Sequence, residues 1–167
     1  MQSPLKARVA AGTAIFRGER ILLLRRSLQA SNPGIWDLPG GHVESRESLS
    51  RAARRETKEE TGFDVRLGSV FHVEVFSSLS RSGKMRQTVG VYYHCKAPVK
   101  KVPRLDTEEH TDYAWVSRDE LASYPTMPFL DRTIRAAFRT RDFKAGPSSP
   151  LVLVPSFPAT PAVDEPA

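Results

Sequence analysis

Glu56, Glu59 and Glu60 crowd into the stretch "ETKEE", near the end of a run from Ser48 to Thr61 that contains neither glycine nor proline. On a helix turning about 100° per residue, Leu49, Ala53, Glu56 and Glu60 share one narrow sector, with Ala52 and Glu59 at its edge. The apolar stripe therefore becomes acidic where a core-facing helix should stay apolar. Arg51, Arg54 and Lys58 fall on the opposite, solvated side. Carboxylates spaced i, i+3 and i+4 repel one another, and burying them unpaired is expensive. Basic side chains such as Arg55, bulk water or a divalent cation could balance them. An oxygen-only donor set, with no cysteine or closely spaced histidine, suits Mg²⁺ or Mn²⁺ better than zinc. Taken alone, the same helix also reads as an ordinary salt-laced surface element.

The elements that must position these groups can be read from turns and patterning. "RVAAGTAIF" and "RILLLRR" flank Arg17-Gly18-Glu19 and predict a hairpin. In "IWDLPGGHVE" two short extended pieces are broken by Pro39-Gly40-Gly41. Helix formers from Ser48 to Thr61 predict a helix, closed by Gly62 in the left-handed conformation. "VRLGSVFHVEVF" and "QTVGVYYHCKA" predict two antiparallel strands around a polar loop carrying Arg81, Lys84 and Arg86. "DYAWVS" reads as a further strand, with short and longer helical pieces at "DELASY" and "PFLDRTIRAAFRT". Mixed elements in this order indicate an α+β or α/β sandwich.

The 167 residues, 40% hydrophobic and 26% charged, suffice for one domain with a core. From Ala145 the chain turns proline-rich, holds six of the thirteen prolines and carries no basic residue. We therefore expect a domain over residues 1–144 and a tail over 145–167, either disordered or docked as an edge element through "LVLV". The whole chain carries +6, and residues 1–144, where 25 basic residues face 17 acidic ones, carry +8. Such a balance favours phosphate-bearing partners without choosing among nucleotides, RNA and acidic membranes. Lone Cys95, inside "VGVYYHCKAP", reads as a small buried hydrophobe. Neither a signal sequence nor a long apolar run is visible, so a cytoplasmic location and no membrane role are expected.

Gly41, five residues, Glu47, seven residues, Arg55-Glu56, Thr57, Lys58, Glu59-Glu60, Thr61, Gly62 and Phe63 resemble the Nudix box GX5EX7REUXEEXGU over 23 residues. Thr57 is the one departure, standing where the pattern has a bulky apolar residue that packs inward. "WDLPGG" and "YAWVSRDEL" also look like Nudix sequence, extending the resemblance to about Arg8 through Arg139. The resemblance implies a Nudix-type α/β/α sandwich around a mixed sheet, with the box as a loop–helix–loop. It further implies hydrolysis of a nucleoside diphosphate linked to another moiety, with Mg²⁺ or Mn²⁺. Nucleoside triphosphates, including oxidised purine forms, are the favoured substrates, ahead of ADP-ribose or a nucleotide sugar. A nucleotide-sensing module that does not cleave is the alternative from another class, although such modules commonly lose box carboxylates and all four are present. RNA-end processing lacks a visible RNA-binding array, and DNA binding is not expected.

Carried onto this chain, the resemblance makes Glu56, Glu59 and Glu60 the metal ligands, joined by the carbonyl of Gly40. Gly40 and Gly41 would let pyrophosphate oxygens approach the backbone. Arg55 and Glu47 would orient the ligands, with Arg55 pointing away from Glu56. Within "DTEEHTDYAW", Glu108 is the expected general base, with Glu109 and His110 as rivals. Arg25 and Arg26 point to opposite faces of their strand, and Arg26 is placed on substrate. Trp36 and Trp115 are expected in the core.

Overall fold

In the computed structural model, which describes residues 7–79, 84–98 and 100–141, the predicted hairpin forms from β1 (Ala7–Arg17) and β2 (Arg20–Arg26). The short pieces around Pro39 are β3 (Trp36–Asp37) and β4 (Gly40–His42). After α1 (Leu49–Thr61) come β5 (Leu67–Leu79), β6 (Met85–Lys96), β7 (His110–Val116), a 3₁₀ turn (Leu121–Ser123) and α2 (Pro128–Thr140). Among the described residues the strands form one seven-stranded sheet of order β3-β2-β1-β6-β5, with β4 added to β1 and β7 to β2. β1 and β6 run parallel and the other pairs antiparallel, so the sheet is mixed.

Residues Ile21 to Leu24 of β2 are all fully buried, because both faces of the sheet are covered. On one face Ala14, Leu23, Leu38 and Tyr92 meet Leu130, Ile134, Ala137 and Phe138 of α2, whose i, i+4, i+7, i+8 spacing makes a single stripe. On the other, Ile15, Leu22, Leu24 and Cys95 pack with Phe63, and Ala11 receives Ala52 and Ala53 of α1. This is the α/β/α layering expected. Cys95 is buried, and burial pushes its thiol up to about 12, so it is an inert packing residue.

α1 begins with Ser48, whose hydroxyl accepts the Arg51 N–H, and ends at Gly62 with φ 72°. Thr57 is fully buried: its hydroxyl donates to the Ala53 carbonyl at 2.7 Å and pairs with the Thr13 hydroxyl of β1 at 2.8 Å. The departure from the apolar box position is thus matched by a polar partner on the sheet. Trp36 and Trp115 are half-buried rather than core. Trp36 stands edge-on to Tyr124 at 5.0 Å, and Trp115 lies under the Arg17 guanidinium at 4.2 Å. The 145–167 tail and Arg81 lie outside the described residues.

Candidate active site

The apolar stripe of α1 stops at Ala53, and the next side chains on that face, Glu56 and Glu60, reach past the edge of β4 into a cleft of about 790 Å³. Gly41 leaves the room for this. A Cβ there would sit 2.5 Å from the Glu56 carboxyl carbon and 2.5 and 2.6 Å from its oxygens. At Gly40, with φ 156°, a Cβ would run into Gly12 Cα at 2.6 Å and the Ala11 carbonyl oxygen at 2.7 Å. The paired glycines therefore admit a carboxylate and a neighbouring strand before any substrate arrives. The Gly40 N–H donates to Glu60 Oε2 at 2.9 Å, tying the loop to the helix.

Arg55 spends every N–H on this region. Its Nε and Nη2 grip Glu47 at 3.0 and 2.9 Å, Nη1 serves Glu56 at 2.8 Å and Glu59 at 3.1 Å, and Nη2 also reaches the His42 carbonyl at 3.1 Å. The expectation that Arg55 points away from Glu56 is therefore corrected: it holds both Glu47 and Glu56. The hydrogen bond from Arg55 keeps the Glu47 carboxyl below its ordinary range, and Arg55 itself is raised, chiefly through Glu47. Glu59 ends on the outer side of this clamp, its side chain 54% exposed and absent from the cleft lining. The i, i+4 ion pair with Arg55 holds it there, so its expected place beside Glu56 and Glu60 is not the one it occupies.

Glu60 is 5% exposed, and burial raises its carboxyl well above the usual range; Asp37, Glu56 and Glu109 push the same way. Burial also raises Glu56 against the pull of Arg55, with Glu59 and Glu109 adding to the rise. The general-base expectation needs correcting as well. Glu108 is exposed and does not line the cleft, whereas Glu109 does. A carboxylate oxygen of Glu109, one of Glu60 and a ring nitrogen of His110 lie within 4.8 Å of one another. His110 is 1% exposed, and its Nδ1 has no partner among the described residues. Its Nε2 faces Glu60 Oε1 at 4.0 Å. Burial first, then Arg26, lowers this imidazole to about 4.

Arg26 lines the cleft as expected and Arg25 does not. The Arg26 guanidinium is already engaged, however, donating to the Ser31 carbonyl at 2.6 Å, the Ser31 hydroxyl at 3.1 Å and Asp37 Oδ2 at 3.2 Å. Burial raises the Asp37 carboxyl, and Arg26 works against that rise. Arg8 and Arg86 line the same cleft. At its apolar end Phe76 of β5 and Phe129 of α2 stack with centroids 3.8 Å apart and planes 2° from parallel, beside Ile35, Leu38 and Met127. Asp37, His110 and this aromatic pair were not singled out from sequence as site residues, apart from His110 as a rival base. Their partners lie far along the chain, and only the strand alternation of β5 hinted at Phe76.

Oxygen donors from two carboxylates raised by burial and by one another make a place where a divalent cation would relieve charge, and the donor set fits one. A carboxylate-lined, arginine-walled cleft at the edge of an α/β/α sandwich is the design of an enzyme that handles phosphate anhydrides. The NUDIX domain family matches residues 6–138, and the chain belongs to that family, whose members here are pyrophosphohydrolases. It is 31% identical over 118 residues to the CTP pyrophosphohydrolase of Escherichia coli, spanning 68% of this chain and 78% of that protein. With the nucleoside triphosphatase NudI of Escherichia coli it shares 31% over 109 residues, 62% of this chain and 76% of that one. A crystal structure of a MutT protein from Methanosarcina mazei superposes with a TM-score of 0.70 at 28% identity, covering 86% of this chain and all of the other. No helix among the described residues is long and apolar enough to cross a membrane.

Proposed function

We propose that the protein hydrolyses nucleoside triphosphates to a nucleoside monophosphate and diphosphate in the cytoplasm, using Mg²⁺ or Mn²⁺. The carrying observation is the composition of one cleft. Glu56, Glu60 and Glu109 line it together with Arg8, Arg26 and Arg86, and the stacked Phe76 and Phe129 add apolar surface. Bound to these carboxylates and the Gly40 carbonyl, the cation would shield phosphate charge and lower the pKa of water.

The side chains do the rest. Arg55 and the Gly40 N–H hold Glu56 and Glu60 in place before substrate enters, so no reorganisation is needed at the reacting centre. Among the described residues no hydrogen bond occupies the Glu109 carboxylate, which leaves it free to accept the proton of the attacking water. One P–O bond forms, the bridging P–O bond breaks, and the diphosphate leaves against the arginines. A nucleobase fits the aromatic end, with Asp37 and Asn32 at its polar edge. The names of the two Escherichia coli relatives favour triphosphates, CTP among them, over ADP-ribose, a nucleotide sugar or an RNA end.

A panel of CTP, the other normal triphosphates, oxidised purine triphosphates, ADP-ribose and nucleotide sugars tests this with Mg²⁺ and with Mn²⁺. Turnover of a triphosphate that stops with chelator and returns with either ion is expected. Tight nucleotide binding without turnover would establish the sensing module instead. A chain ending at Lys144 is expected to retain turnover, because the domain of residues 1–144 carries every residue named above.

A further inference from the structure

We propose that Ser27 is a positioning residue that holds Glu109 in the cleft. The inference rests on the reading of Glu109 as the working carboxylate opposite Glu60. Ser27 follows Arg26 at the end of β2 and is 3% exposed. Its N–H donates to the Glu109 carbonyl at 2.8 Å and its hydroxyl to the Glu108 carbonyl at 2.7 Å, while the same hydroxyl accepts the Ala30 N–H at 3.2 Å. Across the turn, Asp106 takes the other groups. Its carbonyl accepts the N–H of Glu109 at 3.3 Å and of His110 at 2.8 Å, and its Oδ1 accepts the Glu108 N–H at 3.0 Å. Both backbone groups of Glu109 are therefore hydrogen-bonded, which fixes the backbone from which its side chain leaves. The β2–β7 register shifts between Arg25 and Arg26, so that Arg26 faces His110 while Arg25 faces Asp112. Such a bulge re-aims the chain beside a site. Ser27 supplies what a bulge needs, a buried group that donates to the turn before β7 and accepts from the loop after β2. An apolar residue there leaves the Glu108 carbonyl and the Ala30 N–H without this partner.

The test is a double-mutant cycle on the full chain with CTP and Mg²⁺: Ser27→Ala, Glu109→Gln and the pair, with Thr140→Ala as control. Thr140 also makes half-buried hydrogen bonds, to Ala136 and His94, and does not line the cleft. Ser27→Ala is expected to lower kcat about tenfold with KM within twofold, and to weaken Mn²⁺ binding read by electron paramagnetic resonance. In the Glu109→Gln background the same change should alter kcat less than twofold, and Thr140→Ala should leave kcat unchanged. An equal loss in both backgrounds, or a loss carried by KM, overturns the role of Ser27 and leaves that of Glu109 standing. Wild-type turnover in Glu109→Gln overturns Glu109 itself, and Ser27 with it. Should Ser27→Ala fail to fold, Asp106→Ala loosens the same turn from its far side. It must then lower kcat in the same pattern, and wild-type kcat overturns the proposal.

Discussion

Glu60→Gln separates the metal role from the structural role of the same side chain. Glu60 Oε2 accepts the Gly40 N–H, and a glutamine oxygen can keep that bond. Its amide then points along the direction of Oε1, toward Glu109 and His110. Two full negative charges within 4.8 Å of one another repel by about 3 kcal/mol or more at an effective dielectric of 20. Burial already raises the Glu60 carboxyl, so protonation relieves part of that repulsion. Without metal, the variant should therefore be more stable by about 1–2 kcal/mol, a rise of roughly 2–8 °C in Tm for a chain of this size. The gain should grow with pH: the raised carboxyl makes the folded wild type lose stability as pH climbs from the unfolded value of 4.5 through the folded one. Turnover should move the other way, with kcat down a hundredfold or more under saturating Mg²⁺, about 3 kcal/mol of transition-state charge stabilisation. Melting scans with chelator and with Mg²⁺ complete the assay, and the metal-induced rise in Tm seen in the wild type should shrink. A well-folded Glu60→Gln with near-normal kcat would refute the reasoning.

Other expectations follow from neighbouring contacts. Gly41→Ala places a methyl 2.5 Å from a carboxylate that Arg55 holds, and should cut kcat at least tenfold with Tm nearly kept, because Glu56 must leave its place. In urea, Thr57→Val strands the Thr13 hydroxyl and should cost about 1–2 kcal/mol, whereas Thr13→Val with Thr57→Val should recover most of it; equal losses would deny the pairing. Burial lowers His94 from 6.5 to about 4, so the folded state resists a proton that the unfolded state accepts. Stability from this group is lost as pH falls from 6.5 to about 4, and His94→Gln should flatten that limb of an acid-unfolding curve.

What could be read from the sequence was local. The helix over the box, its Gly62 terminus and the strands each depend on residues within a few positions of one another, and these stand as expected. The errors have a common physical origin in contacts between distant segments. Glu108 and Glu109 differ by one position, and which of them enters the cleft is decided by the bulge at Arg25 and Arg26 and by Ser27, some 80 residues earlier. Helical phase alone placed Glu59 at the edge of the acidic face, and the ion pair with Arg55 turned it outward. The partner of Thr57 lies 44 residues away on β1, so the unusual box residue gave no sign of being matched. Phe76 and Phe129 come from a strand and a helix that meet only through the fold.

The glutamates of α1 thus divide by what neutralises them. Arg55 stands outside the cleft and shares its five N–H groups among Glu47, Glu56, Glu59 and a carbonyl, which accounts for the carboxylates nearest solvent. Glu60, deeper in, receives one backbone N–H from Gly40 and faces the neutral His110. The Glu109 carboxylate meets it from the turn before β7, with no hydrogen bond among the described residues. An additional arginine there would cancel the charge permanently and fill the space that substrate needs. A carboxylate pair compensated only by a backbone dipole instead stays strained until a mobile cation arrives, and a cation that arrives with a polyphosphate is bound most tightly when substrate is present. The cost of the acidic stripe is then a means of coupling metal uptake to nucleotide, which predicts that CTP and Mn²⁺ each raise the affinity for the other by the same factor. Calorimetric titration of the wild-type protein with Mn²⁺ and an α,β-methylene analogue of CTP, which binds without turning over, measures both factors. Independent binding of the two ligands would show that Glu60 carries no such strain.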